Sequence, residues 1–485
     1  MCSRTDSLLA PLLVALVAVA LSASGVRATD IRVEHVESVR NPLDARSPFV
    51  AVTVSWDNAW FNERNHDAAW LFFKVLRPSG YQHLYLIPES GVLLAKGEVA
   101  MPDADVLVAD DGTGAFVRPA STWRGRLQYR VLLRQDAERT PLNAGTEIAA
   151  YAVEMVYIPE GPVELGDPDP RALDYGAFFR SDASGRPAGT FRITAADQEI
   201  PVGPDAGSLY YQVRRDIYQG DQSGPIPGTF PNGFAGFYLM KYEVSQGEYA
   251  AFLSSLAGWP GAGHRANVGD PLYRERGGSI RMTQGRFVAD HPDRRNVFWH
   301  WDDMMAFTDW AGLRPYTEFE FTKAARGPLE PQPLEYPWNS ADFDVMQRRI
   351  HPESQDAVML NGLDESDMTE ANRAQFGASY YWVMDLAGSM WEKVVTAGDE
   401  VGRAFTGNHG DGTVDSYGDA DVAGWPSGYK ASKGYGYRGG GYYGRAVSQS
   451  DFNPFSPIAL RTYGAWSGGP RNAAYGFRAA RTAPR

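Results

Sequence analysis

Short runs of apolar residues alternate with turn-forming segments over residues 29–150. The runs "FVAVTVSW", "AWLFFKVL", "QHLYLI", "ADVLVA" and "LQYRVLL" are rich in β-branched and aromatic residues, which favour strands. The segments "RPSG", "PESG" and "DDGTG" between them supply the glycine, proline and aspartate that turns require. Strands at this spacing predict a small β-sandwich domain over residues 29–150.

A different pattern begins after residue 150, where helical periodicity appears between loops. In "SQGEYAAFLSSLAG", Ser245 and Glu248 form the signature of a capping box, and apolar residues recur at the spacing of one helix face. Thr317 and Glu320 repeat this signature in "TEFEFTKAARG", and the intervening "WDDMMAFTDWAG" also has helical spacing. Beyond residue 330, glycine and aromatic residues dominate without a long helical pattern. The sequence therefore predicts an α+β chain with a loop-rich second domain over residues 151–485.

The first 28 residues have the layout of a secretory signal peptide. Arg4 precedes an apolar run from Leu8 to Leu21, and the small residues of "SASGVRA" follow it. The run is shorter than the roughly 18 to 20 residues that span a bilayer, so a retained membrane anchor is the weaker alternative. We expect cleavage after Ala28, a secreted or periplasmic mature protein, and no membrane span after signal removal.

The cysteine count and the net charge exclude several kinds of site and partner. The one cysteine is Cys2, inside the predicted signal segment, so the mature chain can form no disulfide, thiolate metal site or cysteine nucleophile. An exported protein without disulfides is more typical of bacteria than of eukaryotes. The chain carries 59 acidic and 46 basic residues, a formal net charge of -13, and such a surface repels phosphate backbones. We therefore expect no nucleic-acid partner.

Seven short motifs occur in a fixed order along the second domain. They are "MVYIPEGPVELGD" at 155–167, "FYLMKYEVSQGEYAAFL" at 237–253, "WAGLRPYTEFEFTKAARG" at 310–327, "YPWN" at 336–339, "MDLAGSMWEK" at 384–393, "YRGGGYY" at 437–443 and "YGFRAAR" at 475–481. Together they resemble the formylglycine-generating enzyme family, also called sulfatase-modifying factor domains, over residues 154–481. The resemblance implies a variant of the C-type lectin fold, which is poor in regular structure and agrees with the loop-rich pattern.

The resemblance also implies a calcium loop within "MDLAGSMWEK". Asp385 and Glu392 would supply side-chain oxygens, and the backbone carbonyls of Gly388 and Met390 would complete one side of the ion. Hard oxygen donors on a tight turn are what calcium prefers. In the alternative interpretation, this stretch is a buried turn in which Asp385 caps and Glu392 pairs with an arginine such as Arg478.

The chain differs from the family at the positions that would bind copper. Members that make formylglycine bind copper through two cysteines, and the resemblance places those positions near Gly444 and Gln449. Neither glycine nor glutamine provides a soft ligand, so we expect that the protein binds no copper. The sequence thus predicts a calcium-stabilised binding or scaffolding protein without oxidase activity. We expect a protein or glycan ligand at the cell surface or in the periplasm.

The loops between residues 404 and 470 would line the cleft that the family's enzymes use for their peptide. The candidate cleft residues are His409, Trp425, Tyr442, Tyr443 and Arg445. The competing hypothesis is an enzyme of the same family, an oxidoreductase that acts on a protein or a small molecule without cysteine. In that case His409 and the nearby Asp411 are the candidates for acid and base.

Overall fold

The computed structural model has the α+β composition that the sequence predicts, with many short strands and few helices. Loops connect most of these elements. The structure describes residues 31–39, 48–77, 80–88, 91–142, 146–214, 218–256, 265, 268–351, 356–426, 433–441, 456–469 and 471–484. The predicted signal peptide over residues 1–28 lies outside the described residues.

A four-stranded antiparallel sheet is built from the amino-terminal region. It consists of β1 (Arg32–Val39), β2 (Phe49–Phe61), β8 (Trp123–Arg134) and β5 (Val92–Lys96), in that order. Val52 and Val54 of β2 are buried, because alternate side chains of a strand point to the same face. They belong to one apolar cluster with Leu71 and Phe73, which come from a second sheet. The two sheets therefore share a core.

The second sheet has seven strands and crosses the predicted domain boundary. It consists of β22 (Ala480–Thr482), β14 (Phe237–Met240), β9 (Ile148–Ile158), β3 (Asp67–Arg77), β7 (Ala115–Pro119) and β6 (Ala104–Val108), in that order, with β4 (Gly80–Leu84) paired to β3. Residue 150 lies inside β9, which pairs with β3 and with β14. One sheet thus connects the amino-terminal strands to the carboxyl-terminal region. The amino-terminal sandwich as a separate domain stays a prediction.

The three predicted helices are present. The helices of the described residues are α1 (Gln246–Ser255), α2 (Pro271–Glu275), α3 (Trp301–Trp310), α4 (Glu318–Arg326) and α5 (Glu400–Arg403). Before α1, Ser245 Oγ accepts from the Glu248 N–H at 3.1 Å, and the Ser245 N–H donates to the Glu248 carboxylate at 2.8 Å. Thr317 and Glu320 make the same two bonds before α4, at 3.1 and 2.9 Å. Both predicted capping boxes are confirmed.

Short elements make up much of the remaining described chain. The strands are β10 (Val163–Leu165), β11 (Phe179–Arg180), β12 (Phe191–Ile193), β13 (Leu209–Tyr210), β15 (Ile280–Thr283), β16 (Arg286–Ala289), β17 (Arg348–Ile350) and β18 (Ala357–Met359). Short 3-10 helices span Pro170–Tyr175, Phe343–Val345, Glu365–Asp367 and Glu370–Phe376. Within the described residues, no helix is both long enough and apolar enough to cross a membrane.

A three-stranded sheet carries the residues around the predicted calcium loop. Its central strand is β19 (Trp391–Val395), flanked by the antiparallel β20 (Tyr435–Arg438) and the parallel β21 (Tyr475–Gly476). The predicted loop ends where β19 begins. Glu392, the last of the predicted ligands, is therefore fixed by backbone pairing to both neighbouring strands.

Candidate functional site

The predicted calcium loop is a tight turn that leads into β19. Asp385 and Gly388 both have left-handed backbone conformations, with φ of 61° and 86°. Glycine adopts such a conformation without steric cost, and aspartate is among the residues that tolerate it. The Gly388 N–H lies 3.3 Å from the carbonyl oxygens of both Gly439 and Gly440. The turn is therefore held against the glycine-rich segment that follows β20.

Both carboxylates predicted as calcium ligands contact arginines. Arg478 donates to the two oxygens of Glu392 at 2.6 and 2.7 Å, and the Tyr316 hydroxyl donates to Glu392 at 2.6 Å. Arg348 donates to Asp385 Oδ1. The alternative interpretation named the pair of Glu392 with Arg478, and the structure contains this pair. Calcium binding stays a prediction, in which the ion would share both carboxylates with these guanidinium groups.

A third carboxylate beside the loop, Glu243, is one that sequence reasoning missed. Glu243 is 3% exposed, and its Oε2 accepts a 2.5 Å hydrogen bond from the Ser389 hydroxyl. Its Oε1 has no hydrogen-bond partner among the described residues. Burial, followed by the charges of Glu392 and Asp385, raises the pKa of Glu243 to about 8. The sequence signal for this residue is a single acid shortly after the apolar run of β14.

The charges around the loop are close to balanced. Glu243, Asp385 and Glu392 contribute three carboxylates, whereas Arg348 and Arg478 contribute two guanidinium groups. A buried carboxylate oxygen without a partner is costly unless a cation, a proton or water satisfies it. Because the pKa of Glu243 is raised to about 8, its carboxyl group holds a proton near neutral pH, and the two remaining carboxylates face two guanidinium groups. Calcium binding at this loop therefore stays a prediction.

A cavity of about 460 Å3 lies next to Trp391 at the start of β19. Its wall combines the aromatic rings of Tyr175 and Tyr336 with polar groups that include Asp174 and Thr462. The Trp391 side chain is buried, and its indole N–H has no hydrogen-bond partner among the described residues. A buried donor of this kind calls for an acceptor from water or a ligand.

An aromatic layer continues outward from Trp391. The Trp391 ring meets Tyr463 edge-to-face at a centroid distance of 5.5 Å, and Tyr463 lies 5.4 Å from Trp466. Tyr218 stacks on Trp466 at 6.4 Å and is 58% exposed. Aromatic rings thus extend from the wall of the cavity to solvent.

Lys393 lies on the same face of β19 as Trp391, within aromatic surroundings. Its Nζ is 5.5, 5.7 and 5.8 Å from the ring centroids of Tyr435, Tyr437 and Tyr475. The Nζ has no hydrogen-bond partner among the described residues, and burial lowers the pKa of Lys393 to about 7. Adjacent side chains of a strand point to opposite faces, so this amine faces away from Glu392.

The candidate acid and base, His409 and Asp411, have separate partners. His409 Nε2 accepts from the Thr482 N–H at 3.0 Å, and its Nδ1 lies 3.8 Å from an Asp111 oxygen. Asp411 accepts from the Thr413 hydroxyl at 2.6 Å. No direct hydrogen bond joins the two candidates in the described chain, and their catalytic role stays a prediction.

The other predicted cleft residues are only partly described. Trp425 is 5% exposed and donates its indole N–H to the Asn408 carbonyl at 2.8 Å. It is therefore mainly a buried side chain in this structure. The remaining predicted positions lie outside the described residues, namely Tyr442, Tyr443 and Arg445 of the cleft and Gly444 and Gln449 of the copper site.

Asp411 also belongs to an acidic group that brings separate segments together. Oxygens of Asp309, Asp411 and Asp421 lie within 4.8 Å of one another. Asp309 accepts from the backbone N–H groups of Asp411 and Asp421 at 3.1 and 3.2 Å. Burial, followed by the charge of Asp411, raises the pKa of Asp309 to about 8. These bonds hold the loop after residue 407 against the end of α3.

The loop-rich α+β region around β19 has recognisable relatives. The family model described as the sulfatase-modifying factor enzyme 1-like domain matches residues 146–483. The formylglycine-generating enzyme of Thermomonospora curvata is 26% identical over 231 residues, which cover 42% of this chain and 68% of that protein. The chain belongs to the sulfatase-modifying factor family. The resemblance found over residues 154–481 is thereby confirmed.

Proposed function

We propose that this protein is an exported, calcium-stabilised member of its family that binds a protein or glycan ligand without oxidising it. The observation that carries the proposal is the cavity of about 460 Å3 next to Trp391, whose buried indole N–H lacks a partner among the described residues. Ligand sites in proteins typically combine a concave apolar wall with a few polar groups that orient the ligand.

The cavity wall suits a ligand that has both apolar faces and hydroxyl or amide groups. Tyr175 and Tyr336 offer ring faces for packing, while Asp174 and Thr462 offer hydrogen-bonding groups. The Trp391 N–H would donate to a carbonyl or hydroxyl oxygen of the ligand. A sugar ring and a peptide both present this mixture, which is why the proposal keeps both classes.

The absence of thiols supports binding without oxidation. Cys2 is the one cysteine of the sequence, and Gly444 and Gln449 stand where the resemblance places the copper-binding cysteines. Glycine and glutamine provide no thiolate for copper and cannot form a mixed disulfide with a substrate. A family member with these residues retains the scaffold of the enzyme and lacks its soft-metal site.

Export and calcium binding rest on separate observations. Residues 1–28 have the charge, apolar run and small residues of a signal peptide. The side chains of Asp385 and Glu392 and the carbonyls of Gly388 and Met390 belong to one short stretch, which supports a calcium ion at the loop before β19. Such an ion would stabilise the turn that leads directly to Trp391, and so would shape the proposed binding cavity.

Binding assays with paired tryptophan variants test this function. We would screen the purified protein against a glycan array and a peptide library, and then measure affinity for the ligands found. Trp391→Phe keeps an aromatic ring but removes the N–H, so affinity should fall roughly fivefold, the effect of one hydrogen bond. Trp310→Phe is the matched control, because Trp310 also has a buried N–H without a partner among the described residues but does not line this cavity.

Two results would contradict the proposal. Equal loss of affinity in both tryptophan variants would indicate a general effect on folding, and unchanged affinity in Trp391→Phe would place the ligand elsewhere. Chemical conversion of a bound ligand, detected as a new mass, would show that the protein is an enzyme.

A further inference from the structure

We propose that the binding site extends from the cavity onto three aromatic rings, and that its ligand is a neutral oligosaccharide of several units. The three rings, here named the outer rings, are those of Tyr463, Trp466 and Tyr218. The inference rests on the proposed function, because the cavity next to Trp391 would hold one end of the same ligand. It selects the glycan from the two ligand classes of that proposal.

A short segment of the chain leads from the cavity wall to the outer rings. Thr462 lines the cavity, and Tyr463 follows it directly in the sequence. The centroid of the Tyr463 ring lies 5.5 Å from that of Trp391, which also lines the cavity, and 5.4 Å from that of Trp466. Tyr463 therefore contacts both the cavity wall and the next ring outward.

Tyr218 forms the outer end of this row of rings. Its ring stacks on Trp466 at a centroid distance of 6.4 Å and an angle of 20°, and its side chain is 58% exposed. The Ala465 N–H donates to the Tyr218 carbonyl at 2.8 Å, so the backbone also joins the two segments. Single exposed aromatic residues are common, but a row of rings that begins at a cavity and ends in solvent is typical of a binding surface.

Glycine at position 468 provides the space for the Trp466 ring. A Cβ atom at Gly468 would lie 2.5 Å from Trp466 Nε1, which is well inside the normal distance between nonbonded atoms. A larger residue at this position would displace the indole. The orientation of Trp466 between Tyr463 and Tyr218 therefore depends on this glycine.

The backbone beside the outer rings is already paired, which disfavours a peptide ligand. Extended peptides commonly bind by adding a strand, for which they need free N–H and C=O groups at an edge. The Gly464 N–H donates to the Arg461 carbonyl at 2.9 Å. The Tyr463 carbonyl accepts from the N–H groups of Tyr437 and Trp466 at 2.9 and 3.2 Å. Recognition along this segment would therefore come from the ring faces.

The ring faces and the net charge favour a neutral sugar chain. A sugar ring has faces of C–H groups and hydroxyl groups around its edge, and the negative face of an aromatic ring attracts such C–H groups. The formal net charge of -13 would repel an acidic polysaccharide. Ligand cavities usually measure about 300–1,000 Å3, so the cavity of about 460 Å3 would hold only a small part of a long glycan. The remaining units would lie over the outer rings.

Calorimetric titration of the purified full chain with neutral oligosaccharides tests the proposal. The probes are oligomers of glucose, mannose and N-acetylglucosamine, from single sugars to hexasaccharides, beside a peptide library. In at least one sugar series, affinity should rise with length. Tyr218→Ala should lower the affinity for the hexasaccharide about fivefold and leave the shortest oligomer that binds unaffected, because only the longer chain reaches the outer rings.

Three further variants separate stacking from other effects. Tyr218→Phe keeps the ring and should bind as the wild type does. Gly468→Ala should displace Trp466 and weaken the longer oligomers as Tyr218→Ala does. Tyr417→Ala is the matched control, because it removes a ring that is 67% exposed but does not line the cavity, and it should leave every affinity unchanged.

The possible failures can be told apart. Equal affinities of short and long oligomers, or equal losses in Tyr218→Ala and Tyr417→Ala, would overturn the inference while leaving the cavity as the ligand site. Binding of peptides alone would also overturn the inference, and the proposed function would stand. Binding of neither sugars nor peptides would overturn both.

Discussion

Arg478 donates two hydrogen bonds to the Glu392 carboxylate, at 2.6 and 2.7 Å, and both side chains are completely buried. The same guanidinium donates to the carbonyls of Met240 and Lys241 at 3.1 and 3.0 Å. One arginine therefore connects β19 to the end of β14. Two residues 86 positions apart in the chain thus meet at the end of the predicted calcium loop.

Removing the acid of this pair should destabilise the fold strongly. Glu392→Gln would leave the Arg478 charge buried without its counter-ion, and we expect the free energy of unfolding to fall by about 3–5 kcal/mol. Urea denaturation measures this change. The control is Asp290→Asn, which removes the exposed partner of Arg281 and should cost less than about 1 kcal/mol. Similar small losses in both variants would contradict the central role of the buried pair.

Calcium removal should lower the melting temperature of the wild-type protein. A ligand that binds only the folded state stabilises it by mass action, so a chelator removes that contribution. Asp385→Ala or Glu392→Ala should abolish the response to chelator, whereas Asp415→Ala, in the acidic loop after residue 407, should retain it. Thermal scans with and without chelator give the result. An unchanged melting temperature in the wild type would favour a turn held by the arginine pairs alone.

The exported protein should begin near Thr29 and contain no thiol. The apolar run from Leu8 to Leu21 and the small residues that follow it predict removal of the segment that carries Cys2. Mass spectrometry of the secreted or periplasmic protein, with and without a thiol reagent, measures both features. An intact amino terminus with a reactive Cys2 would show that the segment is retained.

The protein should not convert a sulfatase cysteine to formylglycine. Gly444 and Gln449 provide no thiolate for copper, and no other cysteine follows Cys2. We would incubate the protein with a sulfatase-motif peptide, copper and oxygen, and weigh the peptide. A mass change from thiol to aldehyde, lost after heating the protein, would demonstrate a cysteine-free route and reverse this prediction.

Stability should depend on pH through Glu248. Burial raises the pKa of Glu248 from 4.5 to about 7, so the folded protein holds a proton that the unfolded chain has released. Between about pH 4.5 and pH 7, the folded state therefore binds more protons, and the free energy of unfolding falls as pH rises. Glu248→Gln should remove this fall, which is at most about 3 kcal/mol for one proton.

Urea unfolding at several pH values checks the Glu248 prediction. Glu320→Gln is a contrasting variant, because Glu320 has the same position in the capping box of α4 but pairs with the buried Arg314 at 2.6 Å. Breaking this pair should lower stability throughout the pH range. If Glu248→Gln retains the pH dependence of the wild type, another group is responsible for it.

Local features could be predicted from the sequence because they depend on neighbours in the chain. The capping boxes of Ser245 with Glu248 and of Thr317 with Glu320 close within four residues, so backbone geometry determines them almost alone. The family was recognisable because its motifs keep their order along residues 154–481, and the match over residues 146–483 agrees. The turn at Asp385 and Gly388 was likewise evident from its residue types.

Tertiary structure decided the partners of the buried charges and the extent of the sheets. The sequence allowed Glu392 either a cation or Arg478, and only the fold shows the arginine within hydrogen-bonding distance and Glu243 beside the same loop. The pairing of β9 with both β3 and β14 also depends on contacts between distant segments. Burial makes a charge costly wherever it lies, but which group compensates it depends on distances across the folded chain, which residue order alone does not determine.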